Sequence, residues 1–168
     1  TFLSSLVFPA GVFFEGTNIS EGRGTTMPFE YIGAPYIGAD KLAAAMTAKK
    51  LPGVHFRSIF FQPTYQKWKD EVCGGVHLHI TDRKKFNGFR TGIHLLHAIA
   101  TEFPQGFAWK KPPYEYEHTR MPIDLIAGTA TLRKAIEAGK SLLELEARAA
   151  QDVSAFRKLR KPYLLYKT

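Results

Sequence analysis

A single cysteine, Cys73, in 168 residues leaves no partner for an internal disulfide. It lies between Val72 and Gly74-Gly75, just ahead of a predicted strand, where a thiol reads first as a small buried hydrophobe. No apolar run reaches the ~18 residues that a membrane-crossing helix requires, so no membrane span is expected. HExxH and CxxC patterns are missing, which leaves zinc without a ready ligand set. Gly22-x-Gly24 lacks the third glycine of a dinucleotide fingerprint, and no Gly-Lys-Ser/Thr follows it, so nucleotide binding is discounted. There are no internal repeats, low-complexity tracts or long linkers. The first residues have neither the basic region nor the cleavage site of a signal peptide. They also lack a starting Met and enter apolar sequence at once, which reads as a piece cut from a longer protein.

What is present is the composition of one ordinary globular domain, 45% hydrophobic and 23% charged. Net charge is +8, from 23 basic and 15 acidic residues. Such a balance can favour a polyanion. The basic groups are scattered, however, with clusters only at residues 83–85 and 157–161, and no nucleic-acid motif accompanies them, so no nucleic-acid partner is expected.

The most informative stretch is residues 15–28, EGTNISEGRGTTMP. Gly16, Gly22 and Gly24 stand among Glu15, Thr17, Asn18, Ser20, Glu21, Arg23 and Thr25. Polar groups this dense are costly in a core unless each finds a partner. Apolar flanks, Val12-Phe13-Phe14 and Met27-Pro28-Phe29, anchor both ends. The pattern suits a loop that presents side chains and amides to a polar ligand.

Elements alternate along the chain. A short buried helix is expected from Pro9 to Gly16, a strand over residues 29–33, and a helix N-capped by Asp40 running to Lys50. Residues 54–61 read as a strand, and residues 75–81 as a cleaner one with Val76, Leu78 and Ile80 on one side and His77, His79 and Thr81 on the other. A helix is predicted over 88–103 with Gly92, Leu96, Ile99 and Phe103 on one stripe, then an aromatic, Pro-rich loop at 112–117. Another helix spans 129–138, closed by Gly139 in the left-handed conformation. The last begins at Ser141, with Glu144 completing a capping box and Leu142, Leu145, Ala149, Val153 and Phe156 as its apolar stripe. Residues 163–166 add a final strand or pack extended. The sum is a mixed α/β or α+β fold, a single layered domain with a small mixed sheet flanked by helices.

Several constellations have more than one reading. His77-x-His79 could ligate a metal with Asp82, line a cleft as a polar strand face ending in Thr81-Asp82-Arg83, or sit on a solvated sheet face; no metal site is assigned. His94 and His97 lie off their helix's apolar stripe and suit surface or partner contact. Glu15 and Glu21 are candidates for acid–base work. Glu15 follows two phenylalanines that could raise its pKa, or it caps the amides of Thr17 and Asn18. Glu21, beside Arg23, suits an ion pair. Tyr31, Tyr36, Trp109, Tyr114 and Tyr116 stand near turns, where rings can stack on sugars or pack half-buried.

Residues 14–26 (FEGTNISEGRGTT), 28–30, 32–36, 73–83 (CGGVHLHITDR), 112–117 (PPYEYE), 122–128 and 160–166 together resemble the C-terminal domain of the NamZ family, exo-acting β-N-acetylmuramidases of bacteria. The match runs nearly the full length, residues 1–168. The resemblance implies the C-terminal half of a two-domain hydrolase, with an N-terminal Rossmann-like domain absent here and the active site between the two. It implies removal of terminal N-acetylmuramic acid from peptidoglycan fragments by hydrolysis, with no cofactor, and a periplasmic or extracellular setting. Glu15 is then the catalytic candidate of this half. Asn18, Ser20, Glu21, Arg23 and Thr25 are candidates to bind the muropeptide sugar. His77, His79, Asp82 and Arg83 are further candidates for the same wall. The rival reading is a non-catalytic cell-wall-binding or interdomain scaffold module.

Overall fold

A computed structural model describes residues 1–166 as a mixed α+β domain with one three-stranded sheet. The sheet order is β1 (Tyr31–Ala34), β3 (Cys73–Ile80), β2 (Val54–Phe61), and both pairings are antiparallel. The strands are rich in aromatic and β-branched residues, which fit a pleated surface. Alternation then divides β3. Val76 and Leu78 join Ile32 and Phe56 in the core, while His77 and His79 turn to the other face beside Tyr31, Arg57 and His55.

Helices cover the apolar face. α2 (Ala39–Ala48) buries Leu42 and Met46, and α3 (Gly88–Glu102) buries Ile93, Leu95, Leu96 and Ile99. Asp40 lies in the first turn of α2 rather than at its cap, because Gly38 holds that place. Asn87 caps α3 by accepting from the Arg90 amide. α1 (Phe2–Gly11) starts well before Pro9: the Thr1 hydroxyl accepts from the Ser4 amide at 3.0 Å and sets the first turn. The predicted helix to Gly16 continues as a 3₁₀ turn, Val12–Gly16.

Two short helices, α4 (Pro122–Ile126) and α5 (Thr131–Glu137), precede α6 (Leu143–Arg160). Gly139 is left-handed at φ 61°, with the Lys140 amide donating to Ala135 O and its own amide to Ile136 O, the pair of hydrogen bonds that closes a helix end. The capping box at Ser141 does not form; the Ser141 hydroxyl instead accepts from the Leu143 amide at 3.3 Å. On α6 only Leu145 is buried, with Leu142 just ahead of it, whereas Val153 and Phe156 remain exposed. Residues 163–166 form no strand; Lys161–Tyr163 is a 3₁₀ turn. No helix is long and apolar enough to cross a membrane among the described residues.

Candidate functional site

Residues 15–25 fold along the edge strand β1. Ser20 pairs with Gly33 through both backbone bonds, 2.8 and 3.0 Å, which extends the sheet by one residue. Gly22 and Gly24 then turn the chain at φ 75° and 81°. A Cβ on Gly24 would stand 2.4 Å from the Tyr65 amide nitrogen, so glycine is required on both conformational and steric grounds.

Much of the loop's polarity is spent on holding this shape. The Asn18 amide group donates to Gly106 O at 2.7 Å, while its oxygen accepts from Tyr36 Oη at 3.0 Å and from the Ala108 amide at 3.1 Å. Ser20 Oγ accepts from the Gly22 amide, and Thr25 Oγ1 donates to Gly22 O while accepting from the Met27 amide. These three side chains staple the loop. Glu15 does not cap the nearby amides: Thr17 donates to Phe14 O and Asn18 to Ala108 O.

The charged residues form a chain of contacts. Arg23 lays one edge of its guanidinium against two carboxylates, Nη2 to Glu15 Oε1 at 2.5 Å and Nε to Glu21 Oε1 at 3.0 Å. Burial opposes the Arg23 charge, but the hydrogen bonds and charges of Glu15 and Glu21 outweigh it and raise its pKa. Tyr114 Oη donates to Glu15 Oε2 at 2.9 Å. Burial first, then the Glu15 carboxylate, pushes the Tyr114 phenol up to about 12. Glu21 is 2% exposed and also meets Lys67 Nζ at 2.8 Å. Lys67 Nζ further donates to Phe14 O at 2.7 Å and Ile19 O at 3.0 Å. Burial lowers the Lys67 pKa, with Glu21 working the other way.

Beside this chain lies a concavity of about 620 Å³, walled by Glu15, Glu21, Arg23, Lys67, Lys110 and Tyr114. Arg23 Nη1 makes no hydrogen bond among the described residues, so part of the guanidinium's donor capacity is unused. A larger concavity of about 850 Å³ opens between α3 and α6, but it contains no residue of the 15–25 loop. The charged residues of the loop line the 620 Å³ concavity.

The other predicted residues lie elsewhere. His77 is 8% exposed; its Nδ1 faces Arg57 Nη2 at 3.4 Å and its Nε2 faces Glu30 Oε2 at 3.5 Å. His79 stacks on it with ring centroids 3.8 Å apart. Asp82 accepts from the Lys84 amide in a turn, and Arg83 lies over the Phe2 ring at 4.7 Å. None of the four lines the concavity. Among the described residues no three His, Cys, Asp or Glu side chains are grouped to hold a metal ion. Cys73 is fully buried, and burial pushes its thiol up to about 11, which makes it inert. His94 Nε2 meets Glu146 Oε1 at 2.5 Å and ties α3 to α6. Sequence reasoning missed Lys67 and Lys110. Lys67 sits in an aperiodic segment in which Gln66, Trp68 and Asp70 all adopt positive φ, and nothing in its spacing marks it.

Residues 6–166 match the sequence family described as exo-beta-N-acetylmuramidase NamZ, C-terminal. The chain belongs to this family. It is 40% identical over 163 residues to the peptidoglycan beta-N-acetylmuramidase NamZ of Bacillus subtilis (strain 168), covering 97% of this chain and 37% of that protein. Two DUF1343 family proteins of Bacteroides fragilis NCTC 9343, known from crystal structures, share the fold. One superposes with a TM-score of 0.82 at 26% identity, covering 97% of this chain and 42% of its own. The other gives 0.67 at 28% identity, with 99% and 42% covered. The NamZ C-terminal domain thus spans well under half of each relative.

Proposed function

We propose that this NamZ C-terminal domain forms one wall of the substrate cleft of a glycoside hydrolase that releases terminal N-acetylmuramic acid from peptidoglycan fragments, the other wall coming from an N-terminal Rossmann-like domain of the same protein. The observation that carries the reading is Arg23: two carboxylates fix one edge of its guanidinium, Nη1 has no hydrogen-bond partner among the described residues, and the residue lines a concavity. A free Arg fork suits bidentate capture of a carboxylate, and the lactyl group of muramic acid supplies one. Lys67 and Lys110 add positive charge to the same wall.

Glu15 has both oxygens occupied, by Arg23 and Tyr114. That favours a positioning role over proton transfer. Glycoside hydrolysis generally needs two carboxyl groups astride the bond. Glu21 is enclosed, so the acid–base pair falls at least partly to the other domain.

The test uses the two-domain enzyme and an aryl β-N-acetylmuramide. Arg23→Lys keeps the charge and removes the fork; kcat/KM should fall about tenfold to a hundredfold, the worth of a charge-assisted hydrogen bond. Glu15→Gln should fall with it, through loss of the Arg23 position. Unchanged rates in both variants would remove the loop from the cleft.

A further inference from the structure

We propose that the turn at residues 114–117 and the hollow behind it form a second subsite, which receives an uncharged pyranose ring on the leaving-group side of the cleaved bond. The inference rests on the cleft reading above and adds to it a location and a ligand class.

A second concavity, about 550 Å³, adjoins the first and shares Tyr114 and Glu115 with it as a common wall. A ligand leaving the Arg23 side across Tyr114 therefore enters this hollow. Its floor is apolar, built by Val12, Leu125 and Ile126. At its rim Tyr116 is 98% exposed.

The ring is displayed on a fixed support. Tyr114 and Glu117 exchange both backbone hydrogen bonds, at 2.9 and 3.0 Å, which closes the turn beneath Tyr116. Tyr114 in turn is bonded to Glu15 in the loop, and Lys110 Nζ lies over its ring at 5.2 Å. Glu115 is held at φ 51°, a conformation that costs energy in a residue with a side chain and that a free turn would relax. An aromatic side chain fully in water on a pre-formed turn offers its face to a partner with little ordering on binding. Sugar C–H groups meet the negative face of such a ring favourably.

Charge selects the ligand. The Arg23 side balances three cations, Arg23, Lys67 and Lys110, against three carboxylates, Glu15, Glu21 and Glu115. The second hollow has two carboxylates, Glu115 and Glu117, and no cation. Glu117 is committed to its turn: it accepts from the Thr119 amide, the Thr119 hydroxyl and the Arg120 amide, which hold its pKa down to about 2. A sugar that bears a carboxylate is repelled there. A neutral N-acetylhexosamine is not, and its hydroxyls can donate to Glu115.

The experiment compares two substrates of the two-domain enzyme. One is a muramyl–N-acetylglucosamine disaccharide; the other is muramyl fluoride, whose leaving group is too small to reach Tyr116. Tyr116→Ala should lower kcat/KM for the disaccharide about tenfold, the scale of one aromatic contact, and leave the fluoride within about twofold. Tyr116→Phe, which keeps the ring, should retain both activities. Equal loss on both substrates, or no loss on the disaccharide, overturns the subsite. If Arg23→Lys leaves fluoride hydrolysis unaltered, the cleft reading itself fails, and that outcome is distinct from a silent Tyr116.

Discussion

Lys67 is a cation held in place by three acceptors, Glu21 and the carbonyls of Phe14 and Ile19. Its side chain is 23% exposed, and Glu21 is almost wholly enclosed. Removing such a cation leaves the carboxylate and two carbonyls short of a donor, and breaking a buried pair in this way is far more costly than losing a surface one. Lys67→Met should therefore reduce unfolding free energy by about 3 kcal/mol, read from urea denaturation. A loss below about 1 kcal/mol would place the pair among ordinary surface bridges. The ion pair between Glu21 and Arg23 was legible in the sequence because the residues are two apart. Lys67 was not, since it reaches the loop from 46 residues away. The same holds for Asn18: its type and its place between glycine turns suggested ligand binding, but only the tertiary fold supplies Gly106, Ala108 and Tyr36 to consume its hydrogen bonds.

At the scale of elements, alternation in β3 correctly separated Val76 and Leu78 from His77 and His79, and β2 was readable to its end residues. What alternation could not give was the cover over the second face. Glu30, 3% exposed, accepts from Ser4 Oγ at 2.8 Å and approaches His77, so the N-terminus of α1 shuts over part of that face. The consequence is a pH dependence. Burial lowers the pKa of both histidines below the ordinary 6.5; His79 and Arg57 add to this at His77, against the contact with Glu30, and Arg57 and His55 add to it at His79. Just below pH 6.5 the unfolded chain then holds more protons than the native one, and stability rises with pH across that window. Acidification through it should destabilise the domain. A His77→Gln, His79→Gln double variant should flatten the dependence, as followed by thermal unfolding at a series of pH values. An equally steep profile in the variant would assign the effect to other groups.

The loop's own hinge is also an element-scale matter. Gly24 combines φ 81° with backbone at 2.4 Å from any added Cβ. Gly24→Ala should destabilise by about 2–4 kcal/mol, because neither strain nor clash can be relieved by a flexible side chain. Chemical denaturation gives the number, and a cost within 0.5 kcal/mol would mean the segment at Thr64 and Tyr65 can move away.

Over the whole molecule, the core is continuous from α1 through the sheet to α3, and it ends at Leu142, the cap of α6, and Leu145 in its first turn. Helical periodicity marked Leu142, Leu145, Ala149, Val153 and Phe156 as one apolar stripe, and all but Leu142, which caps the helix, lie within α6. Periodicity says which side of a helix is apolar; it does not say how far a core extends to meet it. Val153, Phe156 and Leu159 are 50%, 59% and 68% exposed, so the outer half of α6 contributes little to folding of this domain. That separates two kinds of apolar residue on one helix. Leu145→Ala should cost about 2 kcal/mol through lost burial and a residual void. Phe156→Glu with Leu159→Glu should leave the unfolding free energy, read from urea denaturation, within about 0.5 kcal/mol of the parent, as for exposed positions generally. A large loss in the double variant would show that the outer half of α6 folds back onto the body in solution, and the boundary of the core would then have to be drawn beyond Leu145.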